Sequence, residues 1–275
     1  AMLFVMLFFL PSADRAAVSF QEPLIEQAVR QQLKKPEGAL TKDDLASIEA
    51  IHIFGSLIYQ DDSQFWFLGQ HPHAWNSGFN EAQWSQSGGI VSLTDLSLLP
   101  NLKELSLYRQ EITDISALAG TKLSALGLGY NPLTDLSPLK GNPSITYLNL
   151  ACLPIDPAEI VSTLPNLTRL NLSGTPIRSL SPLEKLPLEE LNLFDIGVDG
   201  AVDRDVIYSI TRKMFDRHCH IVFIRTAFIG LTHFKHLVRI RPVGANVYNG
   251  IAPVQIRIAI GNCASCTPLS SLALT

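Results

Sequence analysis

Five copies of one apolar phrase, Leu-x-x-Leu-x-Leu, run through the middle of this 275-residue chain at a nearly constant spacing. The copies start 21, 22, 22 and 21 residues apart, and isoleucine takes the first place of the third copy. One such unit cannot bury its own apolar face, so neighbouring units must stack on a shared core. The copies begin at Leu102, Leu123, Ile145, Leu167 and Leu188.

This period and spacing are the signature of a leucine-rich repeat, in which each unit gives one short strand and one return segment. We therefore expect an α/β fold in which residues 91–200 form a right-handed solenoid of leucine-rich repeats. A hydrophobic content of 47% is enough for a sizeable core. The extended inner surface of such a solenoid favours binding over catalysis.

Two helices and one strand are predicted ahead of the repeats, over residues 20–54. Apolar residues at helical spacing over 24–33 indicate the first helix. Thr41, with Asp44 three positions later, forms a weak capping box for the second helix. Residues 51–53 alternate like the first strand of the array. Because the open end of a solenoid needs a cover, we interpret the two helices as a helical N-terminal cap.

Residues from about 20 to 200 resemble bacterial surface leucine-rich-repeat proteins of the internalin type. Segments 24–30, 35–38 and 40–45 resemble the N-terminal cap of that class, and TDISAL and TDLSPL in the return segments match its outer-face phrase. The resemblance implies a noncatalytic protein-recognition module that is secreted or held at the cell surface. Some relatives carry such repeats as the extracellular sensor of a membrane receptor kinase, so that function is the alternative.

The ninth position of each repeat departs from the pattern of that class. Relatives usually hold asparagine there, with its side chain bonded to the backbone of neighbouring turns. In this chain most ninth positions hold other residues, so apolar packing is expected to replace most of this ladder of asparagine hydrogen bonds. In the third repeat a short helix is expected after Pro157. The ninth positions hold Gln110, Asn131, Leu153, Thr175 and Ile196.

A candidate partner-binding surface follows from the alternation of side chains along a strand. If the leucines face inward, their neighbours form the concave face of the sheet, with Tyr and Arg side chains that supply much of the energy at interfaces. A solvated face without a ligand is the alternative. The predicted face comprises Glu104, Ser106, Tyr108, Ala125, Gly127, Gly129, Tyr147, Asn149, Ala151, Arg169, Asn171, Ser173, Glu190, Asn192 and Phe194.

An aromatic-rich insertion is predicted over residues 55–90, and it contains all three tryptophans, Trp66, Trp75 and Trp84. Insertions within repeat arrays map to loops on one face, often the binding face. Exposed rings would suit a partner or a carbohydrate. The other interpretation is a satellite core, because an aromatic ring left in water forgoes about 1.5 to 3 kcal/mol of burial.

Residues 1–19 are interpreted as a signal peptide or a truncated membrane anchor. Their apolar run is too short for a bilayer, which takes about 20 residues as a helix, and Ala17-Val18-Ser19 is a tolerable cleavage site. A buried strand is the structural alternative. Either of the first two interpretations predicts that the repeats lie outside the cytoplasm.

No catalytic or metal-binding constellation stands out in the sequence. His71 and His73 lie near Asp61, and Cys263 and Cys266 form a lone C-x-x-C, but neither set has the spaced partners of a metal site. Phosphate loops, nucleophile elbows and H-E-x-x-H pairs are missing from the sequence. We expect no enzyme activity, no cofactor and no metal; the expected state is a monomer that binds a protein rather than a nucleic acid.

Residues 201–275 form a basic tail with three competing interpretations. The tail holds nine Lys and Arg against three Asp, whereas residues 1–200 hold 12 basic against 22 acidic side chains. From 217 onward there is no acidic residue. The tail is interpreted as a basic accessory domain, as a packed extension that seals the solenoid, or as an out-of-frame end.

Overall fold

A computed structural model describes residues 18–60 and 86–193, with the short stretches 209–210, 221–224, 240–242 and 256–259. The strands in this part of the chain are β1 (Ala50–Phe54), β2 (Leu57–Tyr59), β3 (Glu104–Tyr108), β4 (Ala125–Gly127), β5 (Tyr147–Asn149), β6 (Arg169–Asn171), β7 (Glu190–Leu193), β8 (Ile221–Ile224), β9 (Ile240–Pro242) and β10 (Ile256–Ala259). They join one sheet in the order β2-β1-β3-β4-β5-β6-β7-β8-β10-β9. From β1 through β3 to β8 neighbouring strands are parallel, while β2, β9 and β10 pair antiparallel.

The central leucine of each repeat falls in one continuous row across the sheet. Each is a register partner of the next, and each is at most 1% exposed. Burial of one such side chain is worth about 1.5 to 3 kcal/mol, so the row is a major source of cohesion between repeats. The fold is therefore the predicted leucine-rich-repeat solenoid. The row runs Ile51, Leu105, Leu126, Leu148, Leu170 and Leu191.

The return segments are short helical turns that bury apolar side chains against the same core. Asp114 and Asp135 start two of them, because each carboxylate accepts the backbone N–H two positions on, at 2.7 Å. The helix predicted after Pro157 is present as α3 (Ala158–Val161). The other return segments carry 3₁₀ turns at Thr94–Leu98, Ser116–Leu118, Ser137–Leu139 and Ser181–Lys185.

Both predicted N-terminal helices are present, as α1 (Pro23–Leu33) and α2 (Lys42–Ala46). The capping box of α2 forms as expected, since Thr41 Oγ1 accepts the Asp44 N–H at 3.2 Å and Asp44 accepts the Thr41 N–H at 2.8 Å. Ile25, Ala28 and Val29 of α1 are fully buried in the main core. The role of these helices as the cap of the solenoid stays a prediction.

The side chains at the ninth positions make more hydrogen bonds to the backbone than the sequence predicted. Asn131 Nδ2 donates to the carbonyls of Leu107 and Leu128, at 2.7 and 2.9 Å. Gln110 reproduces this role with a longer side chain, and the Thr175 hydroxyl donates to the Leu172 carbonyl within its own repeat. Leu153 is apolar and 1% exposed, as expected. Ile196 lies outside the described residues.

The described part of the tail continues the sheet past the last repeat. Val222 of β8 is the register partner of Leu191, and β10 and β9 follow. Ile210 is 4% exposed and belongs to the main core. The three interpretations of residues 201–275 remain predictions.

No helix among the described residues is long and apolar enough to cross a membrane.

Candidate recognition surface

The sheet face opposite the leucine core carries two complete rows of predicted site residues. The strand pairing makes every member of a row the neighbour of the next, about 4.8 Å apart. The first row runs Glu104, Ala125, Tyr147, Arg169 and Glu190. The second row runs Ser106, Gly127, Asn149, Asn171 and Asn192.

The two rows differ sharply in accessibility. In the first row the side chains of Glu104, Arg169 and Glu190 are 50%, 43% and 35% exposed. In the second row, Gly127 has no side chain, and each of the other four residues is at most 1% exposed. The accessible part of the predicted face therefore lies in its first row, where the strands begin, at Glu104, Arg169 and Glu190, whereas Tyr147 of that row is only 7% exposed.

Arg169 is the most constrained charged side chain of the first row. Its Nε donates to Glu190 Oε2 at 2.9 Å, and its guanidinium carbon lies 5.0 Å from the centre of the Tyr147 ring. A cation over an aromatic face at this distance is attracted by the ring quadrupole. Tyr147, Arg169 and Glu190 thus form a preordered triplet across three neighbouring strands.

Two asparagines of the second row, Asn149 and Asn171, accept backbone N–H groups with their side-chain oxygens. Asn149 Oδ1 accepts the Ala151 N–H at 3.2 Å, and its Nδ2 donates to Tyr147 Oη at 3.4 Å. Asn171 Oδ1 accepts both the N–H and the hydroxyl of Ser173, at 2.9 and 2.6 Å. Such bonds satisfy buried polar groups, so these side chains brace the ends of β5 and β6.

An aromatic cluster, formed by Phe54, Tyr59, Tyr108 and Tyr130, lies on the same face at the start of the array. Phe54 and Tyr108 are fully buried, with ring centres 6.3 Å apart, and Tyr130 meets Phe54 edge-on at 6.5 Å. Burial raises the pKa of Tyr59 to about 12. The ring of Tyr108 extends over Gly127, where a Cβ would lie too close to its hydroxyl. The predicted site residue Tyr108 is therefore part of a packed cluster.

Two residues of β1 on this face were absent from the predicted surface. His52 and Phe54 are register partners of Ser106 and Tyr108, so they extend the same face by one strand. His52 is 2% exposed, with Nε2 3.7 Å from Glu104 Oε2. The alternation of residues 51–53 carries the signal, because it places His52 opposite the core. Tyr130 follows β4 and had no such periodic signal.

Four predicted site residues, Phe194, Trp66, Trp75 and Trp84, lie outside the described residues. The same holds for His71, His73, Cys263 and Cys266, and for residues 1–17. Within the part of the chain that the structure describes, no group of three or more His, Cys, Asp or Glu could hold a metal ion.

Fold, repeat spacing and register define this chain as a leucine-rich-repeat protein. No protein-family description and no curated protein matches it. Among solved structures it is similar to an internalin, inlF, from Listeria monocytogenes, at 20% identity and a TM-score of 0.47, over 70% of this chain and 54% of that chain. It is also similar to internalin C2 of the same organism, at 22% identity and a TM-score of 0.40, over 70% of this chain and 90% of that chain. The chain thus spans about half the length of the inlF structure.

Proposed function

We propose that this chain is a noncatalytic protein-recognition module that binds its partner through the first row of the sheet face. The single observation that carries the proposal is the triplet of Tyr147, Arg169 and Glu190, held in place yet accessible at Arg169 and Glu190. Tyr and Arg are enriched among the residues that dominate binding energy at interfaces. Because the triplet is already ordered, binding through it costs this chain less conformational freedom than binding through a mobile loop would.

The second row supports this proposal as a rigid base. Asn149 and Asn171 brace the opposite, C-terminal ends of β5 and β6, and the buried side chains of the second row leave the first row as the accessible part of the face. A partner would therefore contact the sheet near the N-terminal ends of β3 to β7. Side chains at about 4.8 Å spacing over five strands span about 19 Å, which suits a segment of a folded protein.

We further propose that the module acts outside the cytoplasm, secreted or at the cell surface, as the sequence resemblance implies. A sensor domain of a receptor kinase would use the same face. Carbohydrate binding through Trp66, Trp75 and Trp84 remains a separate hypothesis.

Photo-crosslinking from the surface tests the proposed function. A benzophenone amino acid replaces Glu104 in the full chain, and the matched control carries it at Glu159, an exposed position on the return segment. We expect a discrete protein adduct from the Glu104 variant in whole cells or their surroundings, and no such adduct from the control. Equal adducts from both positions, or adducts from Glu159 alone, would contradict binding at the sheet face.

A further inference from the structure

The first unit of the array is far too long for a leucine-rich repeat. Later register partners in the first row, such as Glu104 and Ala125 or Tyr147 and Arg169, are separated by one repeat period along the chain. Ala50 and Glu104 are also register partners in neighbouring strands, yet more than two such periods separate them. The first unit therefore carries an excess of chain that is longer than a whole repeat.

The extra residues begin directly after Gly55. Its N–H donates to the Tyr108 carbonyl at 3.0 Å, and its φ is +54°. Three later repeats make the equivalent bond to the following repeat, each from a residue with a φ between 53° and 60°. Gly55 is therefore the residue of the first unit that is equivalent to these three, and it lies just past the end of β1. The three bonds run from Arg109 to Gly129, from Tyr130 to Ala151 and from Cys152 to Ser173.

The chain returns to the repeat by Gly88. Gln110 Oε1 accepts the Ile90 N–H at 3.2 Å, as Asn131 Oδ1 accepts the Ile112 N–H at 3.3 Å one repeat later. Ile90 therefore matches Ile112, which lies three positions after Arg109. Since Gly55 is equivalent to Arg109, a repeat of normal length would place Ile90 three positions after Gly55. Gly88, two residues before Ile90, would then directly follow Gly55. The segment in excess is 56–87.

The two ends of this segment meet in space. A Cβ built on Gly88 would lie 2.1 Å from the Gly55 carbonyl oxygen, so only glycine lets the two backbones approach this closely. Gln110 binds both ends, since its Nε2 donates to the Gly55 carbonyl at 2.8 Å while its Oε1 accepts from Ile90. The buried Gln110 amide is a clamp at the base of the segment.

We infer that residues 56–87 are a separable insertion between two adjacent positions of an otherwise complete first repeat. The leucine-rich solenoid folds without them, and the array begins at β1. Recognition by the first row of the sheet face and any recognition by the insertion are then independent properties of the chain. The inference rests on bonds of the described residues at the base of the insertion and does not depend on the proposed function.

Deletion of residues 56–87, which joins Gly55 to Gly88 in the full chain, tests this inference. We expect a monomer with strand-type circular dichroism and one cooperative thermal transition. Because the deletion also removes β2, whose Ile58 packs on the main core, its melting temperature should fall by several degrees. The matched control deletes residues 66–97, an equal length that removes Gly88 and Ile90, and it should lose the transition.

A second variant keeps β2 and replaces residues 61–85 by a Gly-Ser linker of the same length. We expect it to retain the cooperative transition of the parent chain. Loss of that transition would overturn the inference, as would a 56–87 deletion that behaves like the 66–97 control.

Discussion

Glu22 and Asp95 each hold the backbone of the other's segment. Asp95 accepts the N–H groups of Gln21 and Glu22, the latter at 2.7 Å, while Glu22 Oε1 accepts those of Val91 and Ser92, the latter at 2.7 Å. Both side chains are buried, at 7% and 3% exposure. This exchange joins the start of α1 to the first return segment, although the two are far apart in the chain.

Asp95→Ala should lower the free energy of unfolding by about 2 to 3 kcal/mol, because it leaves the buried Glu22 N–H and the part-buried Gln21 N–H without their acceptor. Urea denaturation of the full chain measures the loss. The matched control is Asp114→Ala, whose exposed carboxylate also accepts a backbone N–H; it should cost about 1 kcal/mol or less. Equal losses in the two variants would show that the exchange does not stabilise the fold.

Asn131→Leu should also destabilise the chain by about 2 kcal/mol or more, although leucine stands at the equivalent position of the next repeat. The change leaves the Leu107 and Leu128 carbonyls and the Ile112 N–H without their buried partner. Asn101→Ala is the control, since Asn101 is exposed and gives one bond to Ala46. Thermal and urea unfolding measure the loss of stability in the two variants. A smaller loss for Asn131→Leu than for Asn101→Ala would show that the buried hydrogen bonds of Asn131 do not stabilise the fold.

Gly127→Ala should lower the melting temperature because the new methyl group meets the Tyr108 ring, with the hydroxyl oxygen only 2.2 Å from the Cβ position. Overpacking of this kind typically costs about 1 to 3 kcal/mol. In a Tyr108→Ala background the same change should cost much less, since the obstructing ring is gone. A double-mutant cycle measures this coupling, and additive losses would contradict the packing of Tyr108 over Gly127.

The acid limb of the stability curve should depend on Asp44. Its bond to Lys35, with bonds to the backbone and side chain of Thr41, lowers the pKa of Asp44 from 3.8 to about 2. A carboxylate whose folded pKa is lowered stabilises the fold above its unfolded pKa, and this contribution is lost as pH falls from about 4 to 2. Asp44→Asn should therefore lose less stability than the parent over that interval.

Urea midpoints at pH 5, 4, 3 and 2 measure the dependence on Asp44. Asp43→Asn is the control, because it removes the same charge at the adjacent position and keeps the Lys35 contact of Asp44. An Asp44→Asn variant with the parent's full loss between pH 4 and 2 would be inconsistent with the lowered pKa.

The sequence predicted the solenoid well because the apolar period alone fixes strand, return segment and stacking. Leu105 and its equivalents had to share one buried row once each repeat contributed one strand. Local chemistry likewise predicted α2, since the pairing of Thr41 with Asp44 acts within a single helical turn.

Accessibility within the candidate surface was not predictable from the same pattern. Alternation tells which face a residue is on, but it does not tell that Asn149 is buried and Glu104 is exposed. The sequence also does not reveal that Gln110 makes the backbone hydrogen bonds that asparagine makes at this position, because these bonds depend on how close Gly55 and Ile90 lie to it in space. The exchange between Glu22 and Asp95 is equally non-local.

The most direct test of recognition by the first row is the affinity of the crosslinked partner for Arg169→Ala, measured by titration calorimetry beside Arg30→Ala. Both arginines form one part-exposed ion pair, Arg169 with Glu190 and Arg30 with Glu26, and each makes further contacts, Arg169 with the Tyr147 ring and Arg30 with the carbonyls of Lys35 and Gly38. Either change should therefore cost about 1 to 2 kcal/mol of stability. We expect Arg169→Ala to weaken binding about tenfold or more, as for a central interface residue, and Arg30→Ala to change it less than twofold. Equal affinities of the two variants would contradict the account.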